Sequence, residues 1–197
     1  MPQFAEGPTR NDVGMTDLGT LGVWWANLGS ASAQQEIEAV KEIERLGYST
    51  FWFGESMRNK DAMAHAGVLL QATSTINVAS GIASIYNRDP TATKSGAYYL
   101  ADASGGCFVL GLGVSHAPAV TRRGADYGKP VSTMRAYLDA MDEAPYQPPA
   151  PENPPPILLA ALRTKMLQLA AQRTQGAHPY LTTTDHTKRA SEYARYQ

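Results

Sequence analysis

Residues 21–53 read LGVWWANLGSASAQQEIEAVKEIERLGYSTFWF. Leu21 to Ala26 is a short apolar run, and Tyr48 to Phe53 is a second one rich in aromatic residues, so both suit strands. Between them, Ser32 and Gln35 have capping-box spacing, and Ile37, Val40, Ile43 and Leu46 repeat as one helical stripe. Gly47 falls just past the stripe, where a helix end favours positive φ. The stretch is therefore strand, helix, strand.

The same alternation continues along the chain. A helix from Asp61 to Ala72 leads to a strand from Ile76 to Ala83. Asp89 before Pro90 reads as an N-cap with proline at the first helical position, opening a helix that runs to Ala103. Cys107 to Val114 is the next strand, and a long loop separates it from a helix over Val131 to Met141. Pro145 to Pro156 holds seven prolines in twelve positions and reads as a stiff extended connector. Strand Ile157 to Ala161, helix Lys165 to Arg173, strand Ala177 to Leu181 and a last helix from Thr184 follow. That makes six βα units in a single domain over 1–197, with residues 1–20 as an irregular N-terminal segment. Parallel strands covered by helices follow from the pattern. A (β/α)₈ barrel typically needs about 250 residues, whereas a doubly wound sheet is complete with five or six strands. Length alone favours the open sheet.

Composition sets further bounds. The 197 residues carry 17 Lys+Arg against 18 Asp+Glu, a net charge of −1. That balance excludes a broad basic face for nucleic acid or anionic lipid. No apolar run reaches the ~18 residues of a membrane span, and Met1 to Thr20 lacks a secretory pattern. A cytoplasmic protein with neither nucleic-acid nor membrane partners is expected. Cys107 is the one cysteine, which excludes an intramolecular disulfide and a cysteine-based metal cluster; no metal site is expected.

Ligands of parallel α/β proteins bind at the carboxyl ends of strands. The segments to inspect are Asn27 to Ser30, Gly54 to Ser56, Ser84 to Asp89, Ser115-His116, Arg163 to Lys165 and Thr182 to Thr184. Gly111-x-Gly113 lacks the third glycine of a nucleotide fingerprint and lies inside a strand, which suits close backbone packing. His116 could exchange a hydrogen bond with a ligand. Glu55 could contact a ligand or cap the next helix. Arg88 and Asp89 read as an exposed ion pair of little worth, with Asp89 capping. His65 and His178 have apolar neighbours and read as packing residues, and His186 falls in a first helical turn. Trp24 and Trp25 face opposite ways, one into the core and one under helices.

Residues 80–90, SGIASIYNRDP, resemble the third strand and loop of the bacterial luciferase-like superfamily, in particular its actinobacterial coenzyme F-420-dependent oxidoreductases. FVLGLGVSH at 108–116, DYGKP at 126–130 with MRAYL at 134–138, and KML at 165–167 through GAHPY at 176–180 support the resemblance, which spans about residues 20 to 195. It implies an α/β fold of the (β/α)₈ TIM-barrel type, incomplete at about six βα units, as in a C-terminally truncated member. It further implies a deazaflavin ring across the barrel mouth. Glu55 and Ser56 match the strand-two pair beside that ring. Ser80 and Gly81 match a non-proline cis peptide that buttresses it, and Ala83, Gly113 and Ser115 line its edge. Arg163 stands where the family usually has a Gly-Pro pair near the cofactor phosphate, so it either binds phosphate or blocks it. Thr182, after the sixth strand, joins the cofactor-binding set. Cys107 replaces a usual arginine and reads as a small buried hydrophobe.

The implied reaction is hydride transfer between C5 of the deazaflavin and a small organic substrate, with Glu55 and His116 as candidate proton sources. FMN-dependent monooxygenation is the alternative. A third possibility is a catalytically impaired remnant that acts by association. Self-association through the edges of strands one and six is expected, because Val23 or Trp24 and Pro179 or Leu181 would otherwise face solvent.

Overall fold

The computed structural model describes residues 17–56 and 59–194. Of the N-terminal segment expected at 1–20, residues 1–16 lie outside the described residues. The strands are β1 (Gly22–Trp24), β2 (Thr50–Phe53), β3 (Asn77–Ser80), β4 (Ala83–Ser84), β5 (Phe108–Gly113), β6 (Ile157–Ala160) and β7 (Gly176–His178). The helices are α1 (Ala33–Arg45), α2 (Ala62–Ala72), α3 (Pro90–Ala103), α4 (Ala117–Arg122), α5 (Pro130–Glu143), α6 (Thr164–Arg173) and α7 (Thr184–Ala194), with a 3₁₀ turn at Ala26–Ser30. The short α4 and the 3₁₀ turn were not expected.

All strand pairs are parallel, in the order β1-β2-β3-β5-β6-β7. The sheet is an arc of six strands, part of a (β/α)₈-type barrel and not a doubly wound sheet. The third strand differs from its reading: it stops at Ser80 and resumes as the two-residue β4, which pairs with β5 alone. A non-proline cis peptide lies at that break, between Gly81 and Ile82 and not between Ser80 and Gly81. The long strand β5 bridges the break, pairing with β3 through Phe108 and Val109 and with β4 through Leu112 and Gly113.

Strand periodicity sorts the residues onto two faces. Phe51, Phe53, Val78, Phe108, Leu110 and Leu159 face the helices and pack with Val40, Leu69, Leu138 and Leu169 into the main core. The alternate residues Ala79, Val109 and Leu158 form a separate inner cluster, with Trp52 and Leu18 against it. The capping box of α1 is present, Ser32 Oγ accepting from the Gln35 N–H and Gln35 Oε1 from the Ser32 N–H. Gly47 follows with φ 84°. Leu46, at the C-cap, is 58% exposed and leaves the stripe; Glu36 is buried in its place.

The arc is closed from inside by aromatic rings. Trp52 stacks on His178 at 4.7 Å and 9°, and Trp24 meets Tyr180 at 4.9 Å. Trp24 and Val23 are thus partly covered, contrary to the expectation, while Leu181 is 88% exposed. β7 ends at His178, three residues earlier than read, and Leu181 sits at φ 49° in the turn beyond. Trp25 is also exposed and does not pack beneath helices.

Candidate functional site

The carboxyl ends of the strands open onto one cavity of about 940 Å³. Its floor is aromatic and set by β1 and β7. Trp24 Nε1 donates to the Gly81 carbonyl at 3.0 Å. A Cβ on Gly81 would come within 3.0 Å of both Trp24 Nε1 and His178 Nε2, so glycine is what lets the two rings close beneath the strand end. His178 Nε2 is enclosed and has no hydrogen-bond partner among the described residues. Burial holds the His178 pKa below the ordinary histidine value, which keeps the ring neutral. The wall is apolar, with Ile82, Val114, Val131, Leu162 and Met166. The rim is polar, with Ser56, Asn59, Ser115, His116, Arg163 and Lys165.

Glu55 reaches the cavity, yet its side chain is only 2% exposed. Oε1 accepts from the Ala62 N–H at 3.1 Å and from Arg88; Oε2 accepts from the Ser84 N–H at 2.9 Å and from Arg88 at 3.2 Å. Arg88 also pairs with Asp61, whose carboxylate caps α2 through the Met63 and Ala64 N–H groups. Arg88 is thus bound to Glu55 and Asp61 and not to Asp89, which caps α3 through the Ala92 N–H as read. A carboxylate with both oxygens filled joins β2, α2, β4 and the start of α3. Glu55 thus takes the capping alternative, its Oε1 accepting from the first amide of α2, and with both oxygens filled it anchors the cavity wall and is not a free proton source.

His116 is exposed at the rim, immediately before α4, where it makes no side-chain cap. Ser115 takes φ 55°, and its carbonyl accepts from the Tyr127 hydroxyl at 3.3 Å. The Tyr86 hydroxyl donates to the Tyr127 carbonyl, and the two rings stack at 5.9 Å. The loop after β5 is thereby folded over one side of the mouth.

Arg163 and Lys165 flank the first turn of α6, which has no side-chain cap, so its backbone N–H groups add to their charge. Neither has an ion-pair partner among the described residues. The one acidic lining residue, Glu55, is neutralised by Arg88, so the rim is cationic.

Four expected site residues stand elsewhere. Ser80 is fully buried: its Oγ donates to the Gly111 carbonyl at 2.9 Å and accepts the Gly111 N–H at 3.0 Å. A Cβ on Gly111 would fall 1.9 Å from the Ser80 carbonyl oxygen, so the Gly-x-Gly pair is close packing. Ala83 lies in the main core, Gly113 is buried against Ile82 and Ala160, and Thr182 sits in the turn before α7 without lining the cavity. Ser56, Gly81, Ser115, His116 and Arg163 are brought together with Glu55 around the cavity. Among the described residues no cluster of His, Cys, Asp or Glu could hold a metal, and no helix is long and apolar enough to cross a membrane. Burial pushes the Cys107 thiol pKa up, as suits an inert packed side chain.

The luciferase-like monooxygenase family model matches residues 15–197. The chain belongs to the luciferase-like monooxygenase family. A 5,10-methylenetetrahydromethanopterin reductase from Archaeoglobus fulgidus is 26% identical over 157 residues, 70% of this chain and 46% of that protein. A putative coenzyme F-420-dependent oxidoreductase from Mycobacterium tuberculosis is 31% identical over 121 residues, 60% of this chain and 33% of that protein. The luciferase-like chain thus spans less than half the length of these relatives. Among solved structures, the coenzyme F-420-dependent tetrahydromethanopterin reductase of Methanopyrus kandleri superposes with TM-score 0.72 at 16% identity, covering 88% of this chain and 59% of that one. The FMN complex of the oxygenating constituent of 3,6-diketocamphane monooxygenase from Pseudomonas putida gives 0.72 at 16%, covering 89% and 62%.

Sequence reading missed Tyr127, His178 and Tyr180 in this luciferase-like mouth. Tyr127 is distant in sequence from any strand end, and the DYGKP motif that contains it marks the family without marking a place in the mouth. His178 was legible once β7 is ended at residue 178, because it then stands at a carboxyl end like the others.

Proposed function

We propose that this luciferase-like chain binds coenzyme F-420 in the cavity and serves hydride transfer between that coenzyme and a small organic substrate. The observation that carries the reading is the pairing of an apolar, aromatic-floored cavity with a cationic rim that lacks an acidic counterpart. A planar tricycle with a phosphate tail needs both. The apolar wall of Ile82, Val114 and Val131 suits a flat ring, and Arg163, Lys165 and the open amides of α6 suit a phosphate. The Mycobacterium tuberculosis relative, named for coenzyme F-420, supports the same choice. When bound, the deazaflavin supplies two-electron hydride chemistry at C5 without activating oxygen. The chain's own residues bind and orient: Gly81 and Ile82 give the wall, Glu55 fixes it, and His116 stands at the rim.

Fluorescence titration with coenzyme F-420 and with FMN tests the reading. Coenzyme F-420 should bind the tighter of the two. Arg163→Ala with Lys165→Ala should weaken it about tenfold, or ~1.4 kcal/mol, and flatten its salt dependence. Tighter binding of FMN would transfer the chain to the monooxygenase reading, and binding of neither would leave association as its role.

A further inference from the structure

We infer that His186 is a positioning residue, which sets the cationic lip of the cavity from α7. The inference rests on the reading that this lip receives an anionic group, and it names what holds the lip in place. Arg163 and Lys165 line the cavity from the stretch that joins β6 to the first turn of α6, together with Leu162 and Thr164. The Leu162 side chain is 52% exposed, so burial does not anchor that stretch. Side chains of α7 do. His186 Nε2 lies 2.7 Å from the Leu162 carbonyl, and the Tyr193 hydroxyl donates to Thr164 Oγ1 at 3.4 Å. His186, Ala190 and Tyr193 follow i, i+4, i+7 spacing, and Ala190 and Tyr193 pack against the main core. One face of α7 therefore both rests on the core and reaches the lip. A carbonyl oxygen only accepts, so His186 Nε2 carries the proton. That leaves Nδ1 as a bare lone pair, enclosed and without a hydrogen-bond partner among the described residues. The backbone of His186 is fixed as well, its N–H donating to Thr183 Oγ1 at 3.2 Å. The Leu162 carbonyl and the Arg163 N–H are the two ends of one peptide unit, so the Nε2 proton polarises the unit that opens the cationic stretch. Long cationic side chains hold an anion better from a fixed backbone, because less freedom is lost on binding.

Coenzyme F-420, the same deazaflavin without its phosphate tail, and inorganic phosphate serve as three probes of the full chain. His186→Phe keeps a ring and loses the donor. It should weaken coenzyme F-420 and inorganic phosphate about fivefold each, the size of one net hydrogen bond, and the tail-less deazaflavin less than twofold. His186→Gln restores an N–H donor and should recover most of that loss. A role in folding alone would weaken all three probes together. In the unmodified ¹⁵N-labelled chain, inorganic phosphate should move the His186 Nε2 resonance, and sodium chloride at equal ionic strength should leave it in place. An unmoved resonance, equal losses for the deazaflavins with and without the tail, or phosphate affinity undiminished in His186→Phe overturns the positioning role; the resonance decides the matter even where a variant fails to fold. Coenzyme F-420 that fails to bind, while phosphate binding still depends on His186, removes the cofactor reading alone. Coenzyme F-420 that binds alike to the unmodified chain and to His186→Phe removes the positioning role alone.

Discussion

Glu55 and Ser80 stand near neighbouring strand ends, and both belong to the scaffold before they belong to any chemistry. Ser80→Ala removes both hydrogen bonds to Gly111 in a dry site. It should cost about 1–3 kcal/mol, read as a lower urea midpoint, with coenzyme F-420 affinity changed less than twofold. A large loss of affinity at unchanged stability would instead put Ser80 in the site. Glu55→Gln leaves Arg88 with the half-exposed Asp61 as its remaining partner. It should cost about 2 kcal/mol, below the usual penalty for a broken buried pair because Asp61 remains. An unchanged urea midpoint would return Glu55 to the list of mobile acids. These residues were misread because a position just after a strand marks the right end of the barrel but not the side-chain direction. With a period of two, one step along the strand moves a side chain between cavity and core, as Gly81 and Ser80 demonstrate. The period-two pattern of residues 76–83 does not show the break that resets that parity; the family resemblance alone marks a backbone departure there, one bond early.

At the scale of elements the sequence was more informative. The α1 capping box, the Asp89-Pro90 start of α3 and the helix-free proline run are each local, and each sits where read. Short pieces such as β4 and α4 escaped because two to six residues carry no period to detect. The packing of α1 on α2 was also unforeseen, since Glu36 in a first helical turn reads as a solvated residue. It is buried, with its carboxylate 3.0 Å from Lys60 Nζ and 3.1 Å from His65 Nε2, while Lys60 also donates to the Gly29 and Ala31 carbonyls. This cluster ties the turn after β1 to the loop before α2. Burial lowers the His65 pKa, the Lys60 charge lowers it further, and Glu36 opposes both. The folded state therefore resists a proton that the unfolded chain accepts near pH ~6.5. Stability should be full above that pH and fall below it as His65, and likewise His178, is forced to charge. The slope is at most ~1.4 kcal/mol per pH unit for each proton. Urea midpoints at pH 7.5, 6.5 and 5.5 check this, and His65→Gln should flatten the decline. Stability that rises on acidification would contradict the assignment.

The described residues form an arc in which β1 and β7 are each paired on one side only. Strand edges with free N–H and C=O groups recruit other chains unless they are guarded. Here the guards are weak: β1 and β7 carry no charge of the kind that repels a partner, and exposed Leu21, Trp25, Tyr180 and Leu181 flank them. The inner face asks for less cover than an empty arc would, since Trp24, Trp52, His178 and Tyr180 already fill the space between the ends. Covering about 600 Å² of apolar surface would be worth at most ~15 kcal/mol. The aromatic closure lowers that, and association costs several kcal/mol more. Micromolar association requires about 8 kcal/mol, which lies within the remainder. The 197-residue chain is therefore expected to self-associate at micromolar concentration through the β1 and β7 edges. Light scattering across a dilution series should show a mass above that of the 21.2 kDa chain, falling on dilution. Trp25→Lys with Leu181→Lys should shift the series toward monomer and leave the fold's circular dichroism unchanged. A monodisperse monomer that melts cooperatively and binds no apolar dye would mean that the aromatic closure alone suffices.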